Sequence, residues 1–167
     1  MPVHHSATHP ADPDRVFAVL TEEQFLRDYA AALGATVQDA RVDRAGDTVT
    51  TTLRMDAPTR GVPAVFERFV GRSVTVTDRR VWRPSADGGY RADLAVGTRL
   101  MSREAVVRGD VVLAAAGAST VVTVTGAASV DAPVIGRQAE AAVTELAGIV
   151  LRQESELLQR RLVADGG

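Results

Sequence analysis

TVTTTLRMD (Thr48–Asp56) decides the fold. Val49, Thr51, Leu53 and Met55 alternate with Thr48, Thr50, Thr52 and Arg54, the period-two pattern of a strand with one face against a core. Upstream, Ala45-Gly46-Asp47 reads as a hairpin loop joining this strand to Thr36–Arg44. Downstream, Ser73–Trp82 alternates in the same way, with Val74, Val76 and Trp82 on one face. Tyr90–Val96, Glu104–Ala115 and Thr120–Val130 supply three more strands, linked by short turn-rich connections that argue for a meander.

The flanks are helical. Val3–His9 reads as a strand ended by Pro10, and Asp12-Pro13 as a helix N-cap with Pro in the first turn. Val16, Phe17 and Leu20 form the apolar side of that helix. Thr21 and Gln24 make the T-x-x-Q of a capping box. A second short helix follows with the stripe Phe25, Leu26, Tyr29 and Leu33, and Gly34 takes the C′ position. Val62, Val65, Phe66, Phe69 and Val70 give a third, two-turn amphipathic stripe inside the Pro- and Gly-rich segment 57–72. After Ala132-Pro133-Val134-Ile135-Gly136, residues Arg137–Leu162 read as one long helix. Its expected apolar face carries Ala139, Val143, Leu146, Val150 and Leu157, and Arg152, Glu156 and Arg160 mark the solvated one.

Composition narrows the chemistry. The chain has 167 residues, 46% of them hydrophobic and 4% aromatic, which suits one domain (1–163, with 164–167 as a short disordered tail) and an interior of Val, Leu and Ala. All 19 basic residues are Arg; Lys, Cys and Asn are absent. Schiff-base chemistry, thiol nucleophiles, thiolate zinc sites and a phosphate-loop lysine are excluded. A net charge of −2 gives no overall electrostatic pull toward nucleic acid. No apolar run is long enough for a membrane span, and Met1–Pro10 lacks a signal-peptide core; the expected location is cytoplasmic.

Three stretches carry a family resemblance: ADPDRVFAVLT (Ala11–Thr21), VPAVFERFVG (Val62–Gly71) and PVIG (Pro133–Gly136). With the order strand, two short helices, six strands and a long final helix, the chain resembles the START-like superfamily of lipid-transfer and polyketide-cyclase domains. The latter two stretches are similar to an uncharacterised bacterial branch of it. The resemblance implies an α+β helix-grip fold, a curved seven-stranded antiparallel sheet wrapped around the C-terminal helix. It also implies an internal cavity for a hydrophobic or amphipathic ligand.

Strand and helix periodicity nominate the lining. Val49, Leu53 and Met55 come from one strand and Val74, Val76 and Trp82 from the next. Val122 and Val124 come from the last strand, Val143, Leu146 and Val150 from the helix, and Phe66 and Phe69 from the short covering helix, read equally as a gate over the mouth. Asp78 and Arg80 continue the face of Val76 and Trp82 as two charges in an apolar stripe. They are either a polar anchor for a ligand head group or, the reading preferred from sequence, solvated where the strand leaves the core.

Other constellations are weaker. His5 and His9 share a strand face but stand about 13 Å apart, too far to chelate one ion, and with His4 they read as surface or rim histidines. No G-x-S-x-G elbow is present, and Gly88-Gly89 precedes a strand instead of a helix. The sequence therefore points to no metal, no cofactor, no catalytic residue and no nucleic-acid partner. It points to binding of a small lipid- or polyketide-like molecule, with a cyclase- or dehydratase-type enzyme and a protein-interaction module as alternatives.

Overall fold

A computed structural model describes residues 1–60, 64, 71–100 and 102–166. The elements are β1 (Pro2–His9), α1 (Pro13–Leu20), α2 (Glu23–Ala32), β2 (Thr36–Ala45), β3 (Thr48–Pro58), β4 (Ser73–Pro84), β5 (Tyr90–Leu100), β6 (Arg103–Ala116), β7 (Ser119–Val130) and α3 (Gly136–Asp165). The helix expected over Val62–Val70, with Phe66 and Phe69, lies outside the described residues.

The sheet has seven antiparallel strands in the order β1-β7-β6-β5-β4-β3-β2. Consecutive strands pair from β2 to β7, as the short turns require. Pairing of β1 with β7 then places the first two strands at opposite edges, so α1 and α2 cross between them. Gly109 and Gly126 face each other across β6 and β7. A Cβ on Gly109 would overlap the Thr125 carbonyl oxygen, so this close approach of backbones needs glycine. The chain thus forms the helix-grip α+β fold, a curved sheet with its inner face toward α3.

Local chemistry explains the helix ends. Asp12 caps α1 by accepting from the Arg15 N–H at 2.8 Å, and Pro13 opens the first turn. Thr21 departs from the expected capping box. Its hydroxyl donates back to the Phe17 carbonyl at 2.8 Å and closes α1, a local bond available before any forward one. Glu22 takes the N-cap position of α2 without a side-chain capping bond, and Gln24 donates to Asp28 instead. Gly34 has φ +69°, the left-handed C′ conformation.

Two apolar clusters share the inner face. The larger joins Val16, Val19 and Phe25 to Trp82, Leu113 and Leu158, and the smaller joins Leu26, Tyr29 and Ala30 of α2 to Ala40, Leu53 and Met55. The buried line of α3 is Ala139, Leu151, Glu154, Leu158 and Leu162. It is rotated from the expected face: Val143, Leu146, Val150 and Leu157 are half-buried on its flank. The long helix leans over β1 and β7 and beside α1 and α2, so contacts on both sides set its rotation.

Candidate functional site

β4 alternates, so its even-numbered residues turn inward, and Asp78 and Arg80 are both 7% exposed. The preferred reading from sequence, that both are solvated, is overturned. The reason is Glu154, 8% exposed on the buried line of α3. The Arg80 guanidinium donates from Nε and Nη2 to Asp78 Oδ1 and Oδ2 at 3.1 and 2.9 Å. It donates from Nη1 and Nη2 to Glu154 Oε1 and Oε2 at 2.7 and 3.0 Å. Each carboxylate is gripped in bidentate fashion, and the planar fork of arginine suits that double role.

Burial alone would pull the Arg80 guanidinium down, but the charges and hydrogen bonds of Asp78 and Glu154 hold it well above its ordinary value. Two acidic side chains thus share one cation in this trio. Tyr29 on α2 responds to it: burial first, then the charges of Glu154 and Asp78, push its hydroxyl well up, so the phenol stays protonated.

β1 contributes the other polar groups. His9 is 2% exposed, which corrects the surface or rim reading of that residue. Its Nδ1 lies 3.1 Å from Gln159 Oε1 and its Nε2 lies 3.3 Å from Ser155 Oγ, both on α3. His5 is half-buried on the same inward face, and its buried Nε2 has no partner among the described residues. Burial is the main cause lowering the pKa of both rings; Glu154 opposes it at His5 and the Gln159 bond opposes it at His9. His5, His9, Arg80, Glu154 and Ser155 border a void of about 20 Å³, room for roughly one water.

The nominated lining residues divide by burial. Val49, Leu53, Met55, Trp82, Val122 and Val124 are buried in the packed clusters, and of these Val122 and Val124 also border the water-sized void. Trp82 is 0% exposed and meets Phe17 edge-on at 5.8 Å. Val74, Val76, Val143, Leu146 and Val150 are half-buried, and Phe66 and Phe69 lie outside the described residues. Sequence reasoning misses Glu154, Tyr29, His5 and His9 as members of the site. The signal for Glu154 is present: four residues before Leu158 and three after Leu151, it is one charge on an otherwise apolar helix line.

Comparisons with known proteins bear on the fold. A family model described as protein of unknown function (DUF2505) matches residues 4–162. No curated protein matches the chain. TTHA0849 from Thermus thermophilus is similar over 100% of both chains, with TM-score 0.66 and 18% identity. A START superfamily protein from Mycobacterium smegmatis is similar over 98% of this chain and 97% of its own, with TM-score 0.51 and 15% identity. A STAR-related lipid transfer protein (fragment 25–204) from Xanthomonas axonopodis is similar over 95% of this chain and 84% of its own, with TM-score 0.56 and 17% identity.

Proposed function

The chain belongs to the DUF2505 family, and we propose that it binds a small hydrophobic or amphipathic molecule between the sheet and the first half of α3. The observation that carries this reading is a pair of incompletely buried apolar walls above the ionic trio. Val74 and Val76 on the sheet and Val143, Leu146 and Val150 on the helix are all half-buried, where a filled core would bury them. Below them, Arg80 with Asp78 and Glu154 forms a charged floor. Apolar walls over a polar floor suit a molecule with an apolar body and a hydrogen-bonding end. The STAR-related lipid transfer name of one fold neighbour agrees with this class of ligand. No described helix is long and apolar enough to cross a membrane, and we place the protein's work in the cytoplasm.

A second reading, proton-transfer catalysis on a bound polyketide-like molecule, draws on several ionisable groups around one void. His5 is its best candidate, because its Nε2 is unpartnered among the described residues while Arg80 already holds both carboxylates. Protein purified without denaturant, extracted with solvent and analysed by mass spectrometry should release a hydrophobic compound in stoichiometric amount. An environment-sensitive fluorescent fatty-acid probe should bind the emptied protein, and Leu146→Trp should block it by filling the space. Absence of any extracted compound, with probe uptake unaffected by Leu146→Trp, would remove the proposal. Turnover of a bound compound, abolished by His5→Gln, would favour the enzyme.

A further inference from the structure

The outer face of the sheet carries charges that the inner site does not use. At its lower end they are matched: Arg83 pairs with Asp93 at 3.1 Å and Arg91 with Asp110 at 3.0 Å. Toward the other end, Arg54, Arg79, Arg99 and Arg108 border an open groove of about 730 Å³. Among the described residues none of these four makes an ion pair. Two carboxylates lie nearby. Asp56 already accepts from Thr75 and Gln38, each at 2.7 Å, and Glu104 stands opposite Arg99 at the rim.

Strand register sets the four arginines around one patch. Arg54 of β3 is paired with Thr77, Thr77 with Gly97, and Arg79 with Ala95, which is paired in turn with Arg108. Arg99 is two residues beyond Gly97 on the same face. With strands about 4.8 Å apart and same-face neighbours about 6.8 Å apart, the Cα atoms of Arg54, Arg79 and Arg99 lie about 7 Å from a point above Thr77 and Gly97, and that of Arg108 about 10 Å. The residues at that centre are small, so among the described residues nothing fills the space between the arginine stems. A Cβ on Gly97 would meet ordinary contacts at 3.8 Å, so this glycine is not required by close backbone approach.

We propose that Arg54, Arg79, Arg99 and Arg108 form a second binding site, on the outer face of β3–β6, for a phosphate monoester group. Several guanidinium forks around a small-residue floor match a compact dianion with three acceptor oxygens. Four arginines against two carboxylates, Asp56 and Glu104, leave the local charge positive although the chain as a whole is negative. The site is separated from the ligand space by the sheet and stands independently of it.

The test uses the full chain and two sources of the same chemistry. Phenyl phosphate is the soluble probe, followed by backbone amide shifts at Thr77, Ala95 and Gly97 and by titration calorimetry. Phosphatidylcholine vesicles with and without phosphatidic acid are the lipid probe, followed by co-sedimentation. Arg79→Gln with Arg108→Gln should weaken binding by about tenfold or more, since two charge-assisted contacts are lost. Arg83→Gln with Arg91→Gln removes the same charge from the same face and should change it by about twofold or less. Should the first pair fold poorly, Arg54→Gln with Arg99→Gln serves in its place. Binding of phenyl phosphate identifies a soluble phosphate ester, and binding confined to phosphatidic acid vesicles identifies a lipid head group. No binding to either probe, or equal loss in the control pair, would overturn the site.

Discussion

From Leu151 to Leu162, α3 lays Leu151, Leu158 and Leu162 into a cluster with Trp82 and Leu113. From Gly136 to Val150, the same helix buries Ala139 and leaves Val143, Leu146 and Val150 half-buried. Both halves face one continuous sheet, so the contrast lies in the partners each half meets. The second half is wedged beside α1 and β1, with Arg15 on Asp165 and His9 on Ser155 and Gln159. The Arg80 trio stands at the boundary. Complete and partial burial are therefore separated along a single helix.

The sharpest way to break this division is at the boundary. Arg80→Met leaves Asp78 and Glu154 facing each other without a cation, and should cost about 3–5 kcal/mol in urea denaturation. Replacing all three with apolar residues of similar volume should recover most of that loss, because buried ion pairs add little net stability over apolar packing. If the trio is a ligand floor, the recovered variant remains folded but no longer orients an amphipathic probe. Full probe affinity in that variant would make the trio purely structural.

The next comparison runs along the helix. Leu158→Ala removes a side chain 2% exposed and should cost about 2–5 kcal/mol. Leu146→Ala, on the half-buried stretch, should cost less than Leu158→Ala, since part of the Leu146 side chain stays exposed in the folded chain. Equal costs, read from urea midpoints at constant slope, would mean that the upper half is as tightly packed as the lower.

Much of this architecture is legible in the amino-acid sequence itself, and for identifiable reasons. Alternation in Thr48–Asp56 and Ser73–Trp82 fixes which residues turn inward, and Asp12-Pro13 and Gly34 mark helix ends by backbone chemistry alone. Thr21 misleads because a hydroxyl can bond forward as a cap or back to the previous turn, and the two patterns look alike in sequence. The face of α3 is ambiguous because Ala139, Val143 and Leu146 fit two neighbouring helix stripes equally well; contacts with α1 and β1 choose between them. A register shift between Val37 and Asp39 on β2 leaves no sign in a run of mixed polarity. The ionic site is half legible: Asp78 and Arg80 stand out on the strand, but pairing with Glu154 across 74 residues depends on the rotation of α3.

The smallest effect expected concerns protonation at the packed end. His9 and His5 have pKa values below the ordinary 6.5, mainly through burial. In the unfolded chain both rings take up protons as pH falls through about 6.5, while the folded chain resists. The unfolded state then binds more protons, so stability is full above that pH and declines as pH drops toward the lowered folded values. The groups facing these rings modulate the effect: Glu154 favours the charged form of both, while Arg152 and His4 oppose it at His5 and His5 opposes it at His9. Asp56 has its own window, because its carboxyl is lowered from 3.8, chiefly by the Thr75 bond, so its contribution fades in more acidic solution. Between pH 7.5 and 5.5 the urea midpoint should therefore fall, by less than either core substitution produces. His9→Gln together with His5→Gln should flatten that slope, while Leu146→Ala should leave it unchanged. A slope retained in the double variant would assign the pH dependence to other groups and detach the His9 contact from the stability of the packed half.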